Sequence, residues 1–157
     1  MKQNIKIRKA ELKDVKIILK LIKELAEYEK LGDKVTATED KLISTIFGKD
    51  KFVEVWLAEI KDDPAGQVLF FRNYSTFLAK PGLYIEDIYV RPQFRGKGVG
   101  KKLLSKVVDL AAEKDYGRVE WCVLNWNKPA IDFYKKMGAV SMDDWMTFRL
   151  AEEDFKG

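Results

Sequence analysis

Near the middle of the chain, a predicted strand passes into a predicted helix through the sequence Arg95-Gly96-Lys97-Gly98-Val99-Gly100. Glycine occupies three of the last five of these positions, so the backbone is free to turn its N–H groups inward. These groups lead into the start of a helix, where the peptide dipoles already favour an anion. The segment therefore predicts a site for a phosphate-bearing ligand. The alternative is a glycine-rich turn that only lets the strand and the helix pack closely.

The spacing of these glycines excludes the two common nucleotide-binding loops. A Walker A loop requires glycine where this chain has Arg95 and a hydroxyl side chain where it has Lys102. A Rossmann loop requires glycine where this chain has Lys101, and it is followed about 20 residues later by an acidic strand end that this sequence lacks. The predicted ligand is therefore of another type.

Hydrophobic periodicity on both sides of the loop predicts alternating strands and helices. Residues 83–90 before the loop read as a strand, and apolar residues recur every four positions from Val99 to Ala111 after it, which predicts a helix. The other predicted elements are strands at residues 4–8, 52–60, 67–76 and 118–124, helices at 11–30, 36–47 and 127–137, turns at 61–66 and 80–82, and extended segments at 140–150. Thr36 and Glu39 match a capping box for the second helix. This order predicts one α/β or α+β domain over residues 1–157 with a mixed sheet.

The composition limits the side chains that are available for catalysis and for metal binding. Histidine is absent from all 157 residues, and cysteine occurs once, at Cys122. Ser-His-Asp and Cys-His catalysis and His-ligated zinc are therefore excluded, and acid–base chemistry must use carboxylates, tyrosine, lysine, the thiol or water. We expect no metal. Because Cys122 lies inside a predicted strand, we expect it to be a buried thiol of the core.

Charge and cysteine content also predict location and partners. The net charge is +4, and basic residues alternate with acidic ones along the predicted helices, as on a solvated face. No apolar run approaches the roughly 20 residues of a membrane span, and the basic start lacks the apolar segment of a secretion signal. One cysteine cannot form an internal disulfide. These features predict a cytoplasmic protein with no nucleic-acid or membrane partner.

The pattern Arg95-x-x-Gly98-x-Gly100 resembles the pyrophosphate loop of the GNAT superfamily of N-acetyltransferases, whose motif is [Arg/Gln]-x-x-Gly-x-[Gly/Ala]. The resemblance extends to IEDIYVRP at residues 85–92, NWNKPAIDFYKKMGA at residues 125–139 and KELAEYE at residues 23–29. Together these segments look like the spermidine/spermine (diamine) N-acetyltransferase branch.

This resemblance implies a GNAT fold of the α/β (α+β) class. Its sheet would be mixed, largely antiparallel and twisted, with a central splayed strand pair and helices on both faces. The implied reaction moves acetyl from acetyl-CoA directly to a primary amine through a ternary complex, in an enzyme that forms a homodimer.

Glu86 and Tyr134 are the two residues expected to transfer protons. Glu86 and Asp87 are consecutive in an apolar strand, so at least one carboxylate must point toward a covered face unless a bulge intervenes. The resemblance makes Glu86 the base for the amine, directly or through water, and places a β-bulge here. It makes Tyr134 the acid for the leaving thiolate, which suits a phenol that is neutral at pH 7. A salt-bridged pair at the strand rim and a core aromatic are the alternative interpretations.

The resemblance also predicts binding residues. The cofactor residues are Ile88, Tyr89, Val90, Arg95, Gly96, Lys97, Gly98, Val99, Gly100, Lys101, Asn127, Pro129, Ala130 and Tyr134. The acceptor residues are Tyr28, Glu29, Glu86, Asp87, Glu120, Trp121, Asp143 and Asp144. Asn127 is equally well explained as a plain helix N-cap, and Tyr28 and Glu29 as a charged helix end.

The chain departs from the polyamine enzymes in two places. Residues 75–82 form a shorter loop that carries Lys80 where those enzymes have an aspartate and a tryptophan, and the segment after Gly138 is also shorter. The loss of one pocket carboxylate favours a short diamine, or the side-chain amine of ornithine, lysine or a thialysine-like compound, over a long polycation. Acetylation of a protein N-terminus or lysine, and acyl-CoA sensing without turnover, are the rival functions.

Overall fold

A computed structural model describes residues 3–156, and the chain separates into two units between Leu124 and Asn125. The first unit carries the sheet and the glycine loop, and the second carries the helix predicted from Asn127. The single domain over residues 1–157 stays a prediction.

Within residues 3–156, five strands form one sheet in the order β1-β2-β3-β4-β5. Their bounds are β1 Ile5–Lys9, β2 Glu54–Ile60, β3 Asp63–Ser75, β4 Lys80–Val90 and β5 Val119–Trp121. The first four strands pair antiparallel, and β5 joins β4 in parallel. The predicted mixed, largely antiparallel sheet is confirmed.

The last two strands of the sheet separate partway along their length. β5 pairs with β4 only from Leu83 to Ile85, while β4 continues to Val90 without a β5 partner among the described residues. The predicted splayed pair is therefore present, and it leaves one edge of the β4 backbone unpaired with β5 just before the glycine loop.

Helices cover both faces of the sheet. On one face, α1 (Val15–Tyr28) buries Ile18 and Leu21 in a cluster with Val55, Leu57 and Leu69 of the strands. Side chains alternate along a strand, so Trp56 lies on the opposite face. There α3 (Val99–Glu113) places the ammonium of Lys106 4.2 Å from the centre of the Trp56 ring.

The second predicted helix begins later than its predicted cap. The N-cap is Thr38, whose hydroxyl accepts a hydrogen bond from the Lys41 amide at 3.2 Å, and α2 spans Glu39–Leu42 before a π-helical turn at Ile43–Phe47. The capping box predicted at Thr36 is therefore wrong. An N-cap side chain must reach an amide two or three residues ahead, and Thr36 lies too far from the first helical residue.

Both predicted turns are shorter or earlier than expected. The first is formed by Lys61 and Asp62, with φ of 52° and 64°, so that β3 already begins at Asp63. The second turn precedes residue 80 and includes Ala79, whose φ is 51°. Residues 80–82, which were predicted to form the turn, instead begin β4. Proline misled both predictions, because a sheet accepts proline near a strand start or beside a bulge.

The strand predicted at residues 118–124 contains only Val119–Trp121. Cys122 therefore lies just beyond the strand and is exposed, and the prediction of a buried core thiol is wrong. Its sulfur accepts a hydrogen bond from the Tyr84 hydroxyl at 2.9 Å. The burial of this thiol depends on where β5 stops pairing with β4, and a short apolar run in the sequence does not reveal that position.

The second unit contains α4 (Lys128–Lys136) and α5 (Glu152–Phe155). The predicted start of α4 is confirmed, since the Asn127 side chain accepts a hydrogen bond from the Ala130 amide at 3.4 Å and Pro129 lies in the first turn. Between these helices, residues 139–151 contain no helix or strand. Their exposed apolar side chains are Val140, Met142, Trp145, Met146, Phe148 and Leu150.

No helix among residues 3–156 combines the length and apolar composition that crossing a membrane requires.

Candidate active site

The glycine loop joins the end of β4 to α3 and holds its backbone in a conformation that favours glycine. Gly96 and Gly98 have φ of 75° and 89°, and a Cβ placed on either would meet no atom within 4 Å. Backbone conformation, and not close packing, therefore requires glycine at these two positions. This observation argues against the interpretation of the loop as a turn made only for tight packing.

The N-terminus of α3 presents backbone donors. Its first intrahelical bond runs from the Lys102 amide to the Gly98 carbonyl at 3.1 Å, so the amides of Val99, Gly100 and Lys101 precede it. Arg95, Lys97 and Lys101 are exposed beside these amides. Such a set of donors and cations fits a pyrophosphate group.

A bulge interrupts β4 at Glu86. Leu69 of β3 lies opposite Asp87, and the next residue, Phe70, lies opposite Ile85, which leaves Glu86 as the extra residue. The bulge expected from the family resemblance is confirmed. Because Leu69 belongs to the face covered by α1, its partner Asp87 lies on that face too.

The Asp87 carboxyl is the shielded member of the acidic pair. Burial, together with the nearby negative charges of Glu86 and Glu29, raises its pKa from 3.8 to about 6. Glu86 is exposed on the bulge. The sequence predicted that at least one of the two carboxylates would point toward a covered face, and the bulge assigns that place to Asp87.

Further acids lie near the same part of β4. The pKa of Tyr84 is raised by burial, by its hydrogen bond to Cys122, and by the negative charges of Glu86 and Glu120. Glu120 lies opposite Tyr84 on β5 and forms an ion pair with Arg118 at 3.0 Å. The fold therefore gathers four of the predicted acceptor residues around this part of β4: Glu29, Glu86, Asp87 and Glu120. Trp121 lies opposite Ile85.

The C-terminal end of α1 lies beside the glycine loop. Tyr28 is the last residue of the helix, and burial raises the pKa of Glu29, which follows it. The Arg95 guanidinium lies 5.0 Å from the centre of the Tyr28 ring and 5.9 Å from that of Tyr89. Its Nε donates a hydrogen bond to the Val90 carbonyl at 3.0 Å.

A cluster that the sequence did not reveal fixes α1 to the end of β4. Arg91 donates to both carboxylate oxygens of Glu24, from Nη2 at 2.8 Å and from Nε at 3.1 Å. The Tyr89 hydroxyl donates to the same carboxylate at 3.3 Å, and Arg91 also donates to the Pro64 carbonyl at 3.3 Å. Glu24 and Arg91 are 67 residues apart, so no local pattern predicts their pairing.

The remaining predicted site residues lie in the second unit. Tyr134 is half-buried on α4, its ring centre 5.5 Å from that of Phe133. The others are Asn127, Pro129, Ala130, Asp143 and Asp144. Their participation in the site with the first unit stays a prediction. Among residues 3–156, no group of three or more acidic or cysteine side chains is arranged to hold a metal ion.

Residues 19–139 match the model of the acetyltransferase (GNAT) family. The chain is 40% identical to thialysine N-epsilon-acetyltransferase of Bos taurus over 94% of this chain and 92% of that protein. It is 38% identical to L-ornithine N5-acetyltransferase NATA1 of Arabidopsis thaliana over 92% of this chain and 83% of that protein. An integron cassette protein from V. cholerae is similar in fold, with a TM-score of 0.81 and 24% identity over 99% of this chain and 96% of that chain.

Proposed function

Because the chain belongs to the acetyltransferase (GNAT) family and is an N-acetyltransferase that acts on amines, we propose that it moves acetyl from acetyl-CoA directly to a primary amine of a small cationic acceptor. The acceptor class is a diamine or polyamine, or the side-chain amine of ornithine, lysine or a thialysine-like compound. Donor and acceptor bind together in a ternary complex, in which binding supplies proximity.

The glycine loop is the proposed site for the pyrophosphate of acetyl-CoA. Its support is the positive φ of Gly96 and Gly98, the amides that open α3, and the exposed Arg95, Lys97 and Lys101. Acetyl-CoA supplies the activated acetyl thioester. The unpaired edge of β4 beyond Ile85 is the proposed site for its pantetheine arm, through the backbone of Ile88 and Val90.

The observation that carries the acceptor proposal is the shielded carboxylate of Asp87 with Glu29 and Glu86 nearby. An acid that has lost much of its solvent, among other acids, is stabilised when a cation replaces the water. A compact ammonium with a second charged group therefore fits this part of the molecule. The relatives named for thialysine and ornithine act on acceptors of this kind.

The proposed proton transfers use two side chains. Glu86, exposed on the bulge, takes a proton from the acceptor ammonium, directly or through one water, and the neutral amine then attacks the thioester carbonyl. Tyr134 donates its hydroxyl proton to the departing sulfur. Asp87 holds the cationic acceptor in place. Backbone donors of β4 stabilise the developing oxyanion.

Incubation of the purified protein with acetyl-CoA and a panel of amines tests this proposal. The panel contains thialysine, ornithine, lysine, 1,3-diaminopropane and spermidine, with a peptide bearing a free N-terminus and an internal lysine as the comparison arm. We expect thiol release with at least one small cationic amine. Release with the peptide alone would favour the protein-acetyltransferase alternative. Release with no amine would overturn the proposed acceptor class.

We propose that the enzyme is a cytoplasmic homodimer. The location rests on the single cysteine, which cannot form an internal disulfide. The dimer rests on the exposed apolar side chains of residues 140–150, since such patches often mark interfaces. Light scattering should give twice the 18.2 kDa chain mass. Phe148→Lys should shift the mass toward a monomer, and the exposed Val108→Lys of α3 should not; a monomeric parent chain would contradict the proposal.

A further inference from the structure

Arg95 contacts residues on both sides of the candidate active site. It opens the glycine loop, yet its guanidinium lies 5.0 Å from the centre of the Tyr28 ring on α1. The same guanidinium lies 5.9 Å from the Tyr89 ring, and Nε donates to the Val90 carbonyl. The side chain of this loop residue therefore reaches the end of α1.

The Tyr28 ring is suited to bind a cation. An aromatic face attracts a guanidinium or ammonium within about 6 Å of its centre. Tyr28 is followed by Glu29, whose charge also acts on Asp87, so the ring lies at the acidic part of the first unit. In the structure, the Arg95 guanidinium lies within this distance of the ring.

Each of the two proposed ligands would bind one residue of the Arg95–Tyr28 contact. A pyrophosphate at the loop attracts the Arg95 guanidinium, because paired ionic hydrogen bonds to phosphate oxygens are stronger than an exposed cation–π contact. An ammonium acceptor needs the aromatic face that Arg95 covers.

We propose that Arg95 belongs to both ligand sites: in the ligand-free protein it occupies the cation-binding face of Tyr28, and acetyl-CoA frees that face by drawing Arg95 to its pyrophosphate. This inference rests on the proposed function and adds a positioning role to a residue of the loop. Each ligand then increases the affinity for the other by the same factor. The strength of one exposed cation–π contact sets that factor at about two- to fivefold.

The first test follows the Arg95 side chain by NMR. The Nε–H signal of Arg95, identified by its loss in Arg95→Gln, should carry a ring-current shift that Tyr28→Leu removes. CoA should remove the same shift in the wild-type protein. Loop amide signals report CoA binding separately. Loop shifts with an unmoved Arg95 signal would overturn this inference alone, and no loop shifts would contradict the proposed coenzyme site as well.

The second test measures thialysine affinity by calorimetry without and with CoA. Arg95→Gln should bind thialysine about two- to fivefold more tightly than the wild-type protein when CoA is absent, because the competing cation is gone. CoA should then bring no further gain. An affinity that is unchanged or weaker in Arg95→Gln would overturn the inference.

Lys97→Gln is the matched control. Lys97 is also a cation of the loop, and its ammonium lies 5.7 Å from the centre of the Phe94 ring. Its loss should weaken CoA binding and leave thialysine affinity without CoA at the wild-type value. A gain in thialysine affinity equal to that of Arg95→Gln would show that only the net charge matters, and would overturn the role of the Tyr28 contact.

Discussion

Replacement of Tyr134 by phenylalanine should lower kcat by about 100-fold or more, with little change in the KM for acetyl-CoA or for the amine. Loss of a positioned general acid costs about 10²- to 10⁴-fold in rate. Phenylalanine keeps the ring that lies beside Phe133, so the helix should keep its packing. The loss is therefore expected in the chemical step and not in binding.

Steady-state kinetics of Tyr134→Phe and of Tyr74→Phe provide the measurement. Tyr74 is an exposed tyrosine of β3, and its phenylalanine variant controls for the general loss of a hydroxyl group. An alternative acetyl donor, a thioester of a more acidic thiol, should restore part of the rate, because a better leaving group needs less protonation. An unchanged kcat in Tyr134→Phe would remove the acid assignment.

Asp87→Asn should weaken acceptor binding and stabilise the fold at the same time. The KM for the amine should rise at least about tenfold, since the variant lacks the shielded charge that holds the cation. The free energy of unfolding should rise by about 2–3 kcal/mol at pH 8, because the folded chain no longer holds an ionised, desolvated carboxylate. Stability lost to a functional site in this way is common.

The pH dependence of this gain follows from the direction of the pKa shift. The folded pKa of Asp87 is raised to about 6, and the ordinary value of 3.8 represents the unfolded chain. Between these values the folded state binds more protons, so its stability falls as the pH rises. The ionised Asp87 carboxylate destabilises the fold to its full extent above about pH 6, and this destabilisation is absent below about pH 4. The advantage of Asp87→Asn should therefore vanish at pH 3.

Urea unfolding of both proteins at pH 3 and pH 8 measures this difference. Asp109→Asn, on the exposed surface of α3, is the matched control and should change little at either pH. Destabilisation of Asp87→Asn at pH 8, or an equal gain at both pH values, would contradict the assignment. In the wild-type protein, amine affinity should also fall as the pH drops below about 6.

Local patterns predicted the main helices well. The residues that α3 buries include Val99, Leu103, Val107 and Ala111, which recur every four positions in the sequence. The N-cap of α4 at Asn127 was also predictable from adjacent residues. Element ends were less well predicted, as at Thr38 and Cys122, because a strand or helix stops where its partners stop.

Some parts of the candidate site could be predicted from the sequence and others could not, because some depend on adjacent residues and others on distant ones. The Gly96–Gly98 loop was visible because its conformation depends on the identity of a few adjacent residues. The Arg91–Glu24 pair was invisible because its members are far apart in the chain. Resemblance predicted the bulge in β4, whereas alternation alone did not.

The sequence by itself determined the helix and strand types, the glycine loop and, through the absence of histidine, the small set of groups available for acid–base chemistry. These properties depend on residue identity and on spacing over a few positions. Only the tertiary structure decided that Glu86 is the bulged residue, that Asp87 is the shielded acid and that Arg95 lies over Tyr28. Register, desolvation and such contacts depend on which distant segments pack together, and spacing along one segment does not specify them.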